Sequence, residues 1–392
     1  MAFSISIIAS TVLVLINLTS WSGPSFNVSE CLYNDSKLNI RYDERVETLA
    51  LIFNLSESGE AHFRDNPAPR AMLARTLTAR FSLFKNHEAV RKLNMLLKND
   101  LVDSYDILIS LYSSEFPEYE QTREYPSIYY EHDEFSKEEI ISMFTDFHIS
   151  VLNFYVDAGL KEFFRVEGKP LYDKLMAEVR SVAPQNNYTQ QMEDYYGIRR
   201  NSYTILVSAF SFNGIGRSVT ISSESGTDIY QFVSSDPDTE SDMIELDRPD
   251  SFTIGYTNEQ YFREIAVHEL GHSFFHEALR ENDEIIAMVN DIRFLFTDSL
   301  KVSMRAQGYT DWNMTFEEHL VRLGEITMAQ RSGHNDFAEQ YMATCIQERG
   351  FIYLGIIQQV FSIYENNRDE FSAIEDFIPV LIRQLKRIQP FK

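Results

Sequence analysis

Residues 261–277, YFREIAVHELGHSFFHE, constrain this chain more than any other stretch. They contain an HExxH pattern, in which His268 and His272 stand four residues apart. On a helix this spacing puts both side chains on one face, about 6 Å apart along the axis. Both imidazoles can therefore bind one zinc ion. Glu269 lies beside them, where its carboxylate can take the proton of a zinc-bound water as a general base.

The residues around this pattern favour a buried helix. Ile265, Ala266 and Val267 precede it, and positions 270, 271, 273 and 274 carry neither charge nor proline. A helix that is apolar on nearly all sides is buried, and buried polar groups without partners cost several kcal/mol. Zinc would satisfy both histidines and the glutamate. The alternative is a surface helix with fortuitous histidines. Gly271 costs about 1 kcal/mol relative to alanine in a helix, which indicates close approach of another backbone.

The N-terminus predicts export. Residues 1–29 carry no charged side chain, and residues 5–18 form an apolar run that is short for a membrane span. Ser20 and Ser22 are small residues at the two positions that a signal peptidase reads. We therefore interpret residues 1–22 as a signal peptide, so that the mature chain begins at Gly23 and is secreted or periplasmic. The alternatives are an uncleaved membrane anchor and a buried N-terminal strand. Cys31 and Cys345 either pair after export or both stay free.

Length and charge restrict the organisation and the partners. A chain of 392 residues can form two domains or one large one. The formal net charge of -24 argues against nucleic acid or an anionic membrane as a partner. We expect no stable membrane insertion after cleavage of the signal peptide.

The first half of the mature chain has helical periodicity. Apolar residues recur at helical spacing in residues 46–53, 70–85, 87–97, 101–112 and 137–182. Ser136 and Glu139 form a capping box, which predicts that a helix begins at Lys137. We interpret residues 23–43 as an extended polar arm and residues 23–190 as a helical N-terminal region.

After residues 184–187 the periodicity changes. Residues 202–212, 219–222 and 230–234 predict strands, and residues 251–256 predict a last strand that leads into the HExxH helix. The free edge of that strand would bind an extended peptide. Helices are predicted over residues 283–306, 316–330, 337–349, 352–364 and 371–388, with Thr315 as the N-cap of the second. The predicted fold is α+β and mainly α: a helical N-terminal half, a small sheet next to the HExxH helix, and a helical C-terminus.

A catalytic zinc site needs a third protein ligand and one open position. His276 lies eight residues from His268, about 12 Å along the helix axis, which is too far for both to share one ion. A carboxylate from a second helix, as in gluzincins, is the better candidate, and we predict Glu318. Arg322, four residues later, would hold that carboxylate. The other candidates are Glu317 and Glu325, and the alternative role for the predicted ligand is a capping or solvated charge.

Five sets of residues carry a resemblance to a known family: residues 45–49, residues 154–155 with 163–164, residues 268–274, residues 318–322 and residues 364–368. In these the chain resembles a family of mostly bacterial, secreted proteins that is described only as a domain of unknown function and that has an HExxH motif. The resemblance covers nearly all of the mature chain. It implies a gluzincin-like zinc metallopeptidase, with residues 191–392 as the zincin-like catalytic region, but it implies no substrate.

The sequence thus predicts an exported, zinc-dependent metallopeptidase that acts on a peptide or protein. His268, His272 and Glu318 would bind zinc, and Glu269 would activate the water and later protonate the leaving amine. Three residues near the C-terminus are candidates for the oxyanion donor: Tyr341, His334 and Tyr353. The alternatives are a zinc hydrolase of a non-peptide amide or ester, and a secreted binding protein with a structural zinc.

Overall fold

The computed structural model describes residues 37–66, 70–103, 106–130, 132–183, 188–212, 214–224 and 226–388. These residues form two compact units. The sheet unit comprises residues 37–183 and 201–265, and the helical unit comprises residues 188–200 and 266–388. The predicted signal peptide, Gly23 and Cys31 lie outside the described residues. The predicted division into regions 23–190 and 191–392 stays a prediction.

The sheet unit combines a group of helices with a small sheet. Its helices are α1 (Glu44–Leu55), α2 (Glu57–Asp65), α3 (Met72–Arg80), α4 (Glu88–Lys98), α5 (Lys137–Asp157), α6 (Leu160–Glu162) and α7 (Lys169–Val182). Its strands are β1 (Leu38–Arg41), β2 (Ser202–Leu206), β3 (Gly216–Ser223) and β4 (Gly226–Val233).

The start of α5 confirms the predicted capping box. The backbone N–H of Glu139 donates to Ser136 Oγ at 3.3 Å, and the backbone N–H of Ser136 donates to Glu139 Oε2 at 2.8 Å. Two of the N–H groups that a helix start leaves unpaired are thereby satisfied. The helix begins at Lys137, as the sequence predicts.

The sheet has the strand order β1-β2-β4-β3. β1, β2 and β4 are parallel, and β3 pairs with β4 in the antiparallel direction. Tyr203 and Ile205 of β2 and Ile229 and Phe232 of β4 are fully buried, as expected for central strands. The sequence does not predict β1, because the polar residues around it make residues 23–43 look like an extended arm. β2 ends at Leu206, six residues before the predicted end.

The predicted strand at residues 251–256 is wrong. No described residue of this segment belongs to a strand. The backbone N–H groups of Ile254 and Tyr256 donate instead to the buried carboxylate of Glu178, at 3.0 to 3.1 Å. The N–H of Thr253 donates to Ser241 Oγ at 2.8 Å. The side chains of Glu178 and Ser241 thus accept from the backbone N–H groups that a strand would use to pair with its neighbour. This segment therefore offers no strand edge for a peptide.

The helical unit has no strand among its described residues, which form eight α-helices joined by loops and short turns. They are α8 (Tyr188–Tyr196), α9 (Glu259–His276), α10 (Asp283–Asp291), α11 (Asp298–Arg305), α12 (Trp312–Arg331), α13 (Asn335–Gln347), α14 (Leu354–Asn366) and α15 (Ile374–Leu385). α9 begins in the sheet unit, and its residues from 266 onward belong to the helical unit. The sequence does not predict α8, because residues 188–196 read as the approach to the sheet.

Two buried aromatic side chains donate hydrogen bonds to carbonyl groups in the last turns of α10 and α8. The indole N–H of Trp312 donates to the carbonyl of Val289 at 3.0 Å, and the Tyr364 hydroxyl donates to the carbonyl of Tyr195 at 2.6 Å. With its small sheet and many helices, the described chain is α+β and mainly α, which confirms the predicted fold class. No described helix has both the length and the apolar composition needed to cross a membrane.

Candidate metal centre

α9 carries the HExxH pattern at its buried end. His268 and His272 lie one helical turn apart, and their ring centroids are 4.9 Å apart. His272 is buried, whereas His268 and Glu269 are partly exposed. His276, which the spacing excludes as a ligand, is the last residue of the helix.

α12 begins earlier than the sequence predicts. Its N-cap is Asp311, whose Oδ1 accepts from the backbone N–H of Met314 at 2.9 Å. The predicted cap at Thr315 is therefore wrong. Thr315 lies inside the helix, where its hydroxyl donates to the Asp311 carbonyl at 2.7 Å. Aspartate is a strong N-cap residue, and here it takes that role before the predicted first turn. Glu318 consequently lies in the second turn and is only 2% exposed, so it is neither a cap nor a solvated charge.

α9 and α12 pack closely at Gly271. A Cβ atom added to Gly271 would lie 3.0 Å from Cγ1 of Val321, which is tighter than ordinary contact. The close approach expected at this glycine therefore involves a side chain of α12 rather than its backbone. Val321 lies midway between Glu317 and Glu325, so this contact sits at the centre of the candidate site.

The two helices bring the three predicted ligands together. Ligand atoms of His268, His272 and Glu318 all lie within 4.8 Å of one another. The two Nε2 atoms are 3.4 Å apart, and His272 Nε2 is 3.2 Å from Glu318 Oε1. His268 Nε2 is 3.8 Å from Glu318 Oε2. Three potential donor atoms from two helices thus converge on one point.

The other two candidate ligands bind the opposite sides of the imidazole rings. Glu317 Oε1 is 2.8 Å from His272 Nδ1, and Glu325 Oε1 is 2.7 Å from His268 Nδ1. The structure therefore brings Glu317 and Glu325 to the histidines, but away from the point on which the Nε2 atoms converge. When each carboxylate accepts the Nδ1–H, each Nε2 carries a lone pair.

The electrostatics of Glu318 follow from its burial among cations and imidazoles. Burial alone would raise its pKa, but His268, His272 and Arg322 outweigh that effect and hold the pKa below its ordinary value. The nearest Arg322 nitrogen is 3.9 Å from Glu318 Oε2, which is beyond hydrogen-bond distance. The guanidinium lies closer to Glu325, at 2.8 Å from Oε1. The carboxylate of Glu318 thus remains ionised without a close guanidinium partner.

These atoms fit a divalent metal ion. Glu318 Oε2 is buried and has no hydrogen-bond partner among the described residues. If both rings are neutral and protonated at Nδ1, their two Nε2 lone pairs lie 3.4 Å apart and repel each other unless a cation lies between them. Zinc binds imidazole nitrogen and carboxylate oxygen, and a metal-bound histidine usually donates its other N–H to a carboxylate. Both conditions are met by His268 and His272.

The three predicted oxyanion donors lie at different places relative to His268, His272 and Glu318. The Tyr353 hydroxyl donates to the carbonyl of Leu295 at 2.9 Å, and His334 precedes α13 on the surface. The Tyr341 hydroxyl donates to Glu325 at 2.7 Å, so it lies behind His268.

Tyr309 is a residue that the sequence analysis misses. It stands in the short loop before α12, and its phenol interacts with the side chains of Glu318 and Arg322. Burial and the Glu318 charge both raise the pKa of Tyr309, so the phenol keeps its proton at neutral pH. In the sequence, the only indication that Tyr309 lies near Glu318 is its position two residues before Asp311, the N-cap of α12.

A family model described as "Domain of unknown function (DUF4932)" matches residues 38–384. The match includes both helices of the candidate metal centre. The chain belongs to this family. No curated protein and no solved structure matches the chain. Family membership therefore supplies no reaction, and the function has to be argued from the site itself.

Proposed function

We propose that this protein is an exported zinc-dependent hydrolase of peptide bonds, a gluzincin-like metallopeptidase. The observation that carries the proposal is the convergence of three potential metal ligands, two of them buried and one partly exposed. His268 Nε2, His272 Nε2 and the unpartnered Oε2 of Glu318 face one another within 4.8 Å. Among the described residues this group has three members, as in catalytic zinc sites, whereas structural zinc sites usually have four ligands.

The remaining side chains fit the steps of amide hydrolysis. Zinc, when bound, lowers the pKa of water and polarises the carbonyl group that is attacked. Glu269 takes the proton of the attacking water and delivers it to the leaving amine. The Tyr309 phenol donates a hydrogen bond to the carbonyl oxygen as negative charge develops there. Export rests on the predicted signal peptide over residues 1–22.

Metal content tests the first half of the proposal. We expect about one zinc per chain in wild type and loss of that zinc in His272→Ala. His334→Ala is the matched control, because this exposed histidine lies outside the cluster, and it should keep its zinc. Zinc retained by His272→Ala would contradict the site.

Hydrolysis tests the second half. Glu269→Gln should keep zinc and lose peptide hydrolysis, because an amide has the same shape but does not accept the proton. Glu259→Gln, an exposed position on the same helix, should keep both properties. Turnover by metal-loaded Glu269→Gln would remove Glu269 from its role. Hydrolysis of esters or non-peptide amides alone would favour the non-peptide hydrolase, and bound zinc without any hydrolysis would favour a binding protein with a structural zinc.

A further inference from the structure

The outer ring nitrogens of both histidines are held by carboxylates of α12. Glu317 faces Nδ1 of His272 at 2.8 Å, and Glu325 faces Nδ1 of His268 at 2.7 Å. We propose that Glu317 and Glu325 are positioning residues, which fix the Nδ1–H form of each ring and aim each Nε2 at the metal. This inference rests on the metal site of the proposed function.

Both oxygens of the Glu317 carboxylate have partners. Its Oε1 binds His272, and its Oε2 accepts from Nε and Nη2 of Arg280, at 3.0 and 2.7 Å. Arg280 comes from the π-helical turn Glu277–Glu281, which directly follows α9. Such π-helical turns often occur at functional sites. Both oxygens of Glu317 therefore already have hydrogen-bonding partners, and neither is oriented toward the point on which the Nε2 atoms converge.

Both oxygens of the Glu325 carboxylate also have partners. Its Oε1 binds His268 and accepts from Arg322 Nη1 at 2.8 Å. Its Oε2 accepts from the Tyr341 hydroxyl at 2.7 Å, and that hydroxyl in turn accepts from Arg322 at 2.8 Å. Glu318, by contrast, has an oxygen without a hydrogen bond. The three glutamates of α12 thus divide into one ligand and two residues that orient ligands.

The crossing of α9 and α12 explains why two carboxylates serve two histidines. Glu317, Val321 and Glu325 follow one another at four-residue spacing, so they lie along one face of α12. Val321 contacts Gly271 of α9, between the two histidines. The chain directions are opposed at this contact, because the earlier histidine meets the later glutamate. One close helix contact therefore sets both histidine–carboxylate distances.

Zinc affinity and histidine NMR together test this role. Each glutamate is changed to Gln, which keeps an oxygen that accepts the Nδ1–H, and to Leu, which does not. Glu339→Gln and Glu339→Leu are matched controls at an exposed position of α13. Zinc affinity is measured by competition with a chromophoric chelator, and ring protonation by ¹⁵N NMR of the zinc-loaded protein.

We expect zinc affinity to fall about 100-fold in the Leu variants and about 10-fold in the Gln variants, with no change in the controls. The ring signals should change residue by residue. Glu317→Leu should alter the Nδ1 signal of His272 alone, and Glu325→Leu that of His268 alone. General destabilisation would not produce this pairing.

Two outcomes overturn the inference, and they are distinguishable. If wild type binds zinc and the four variants bind it with the same affinity and unchanged ring signals, the positioning role fails and the metal site stands. If wild type binds no zinc, the proposed function fails and the positioning role fails with it. Should a Leu variant not fold, the Gln variant decides by the same two measurements.

Discussion

Gly324 of α12 offers a sharp test of how the helical unit is packed. A Cβ atom at this position would fall well inside contact distance of the Tyr196 hydroxyl oxygen, and 3.4 Å from its Cζ. Gly324→Ala should therefore destabilise the protein by about 1–3 kcal/mol through overpacking, offset by about 1 kcal/mol of helix propensity. The clash involves a single oxygen atom, which Tyr196→Phe removes.

The Tyr196 hydroxyl itself contributes little to stability. It is buried, and no described residue hydrogen-bonds to it. Because a buried hydroxyl without a partner costs about 1–3 kcal/mol, Tyr196→Phe should be neutral or stabilising. In the Tyr196→Phe background, Gly324→Ala should stabilise the protein by up to about 1 kcal/mol, since Cζ remains at ordinary contact distance.

A double-mutant cycle measures this coupling. Free energies of unfolding from urea titrations of the four proteins should give a coupling of about 2 kcal/mol. Gly355→Ala in α14 is the matched control, because nothing lies within 4 Å of its added Cβ. It should be neutral or slightly stabilising in both backgrounds. If Gly324→Ala has the same effect in wild type and in Tyr196→Phe, within about 0.5 kcal/mol, this packing of Gly324 against Tyr196 is refuted.

Two further predictions concern the proposed ligand Glu318 and a buried carboxylate of the sheet unit. Glu318→Ala should weaken zinc binding more than any change at the positioning residues. Its melting temperature should fall to that of chelated wild type, because bound metal stabilises the fold. Glu339→Ala is the control, and an unchanged zinc affinity of Glu318→Ala in chelator competition would contradict the role of Glu318 as a ligand. Burial raises the pKa of Glu47 from 4.5 to about 7, although the hydroxyl of Tyr172 and the N–H of Ala209 donate to it at 2.7 and 3.1 Å. The folded state therefore holds a proton that the unfolded state has released, and the free energy of unfolding falls as pH rises through this window, by about 3 kcal/mol. Between about pH 5 and pH 8, the free energy of unfolding of Glu47→Gln should fall by about 3 kcal/mol less than that of wild type in urea titrations. Equal decreases in both proteins would contradict the raised pKa of Glu47.

Local patterns predict the elements whose partners are close in sequence. The capping box at Ser136 and Glu139 involves only its own helix, and α5 begins where that box places it. The prediction for residues 251–256 fails, because the backbone donors of this segment go to Glu178, more than seventy residues earlier. The cap of α12 fails for a different reason. Both Asp311 and Thr315 are possible N-caps, and only the observed helix start decides between them.

In the candidate site, too, the sequence predicts the local spacing of residues but not the arrangement that depends on how two helices pack. The spacing of His268 and His272 is local, and so the sequence can place them on one helix face. Whether Glu317, Glu318 or Glu325 faces their Nε2 atoms depends on how α12 crosses α9. The sequence singles out Glu318, which faces the two Nε2 atoms in the structure, through its spacing to Arg322. In the structure Arg322 nevertheless lies closer to Glu325, at 2.8 Å, than to Glu318, at 3.9 Å. The predicted contact between Arg322 and Glu318, on which the choice of Glu318 is based, is therefore not the main contact of this arginine.

The charge balance of the helical unit explains why Glu318, and neither neighbouring candidate, fits a metal. Glu317, Glu318 and Glu325 are all buried, and two guanidinium groups, those of Arg280 and Arg322, contact them. Arg280 is within hydrogen-bond distance of Glu317 and Arg322 of Glu325, so Glu318 has no guanidinium at that distance. A buried carboxylate without a compensating charge costs several kcal/mol, which favours a positive charge beside Glu318. The Nε2 atoms of the two histidines lie beside the Glu318 carboxylate, and the proposed divalent cation at their common point would supply that charge.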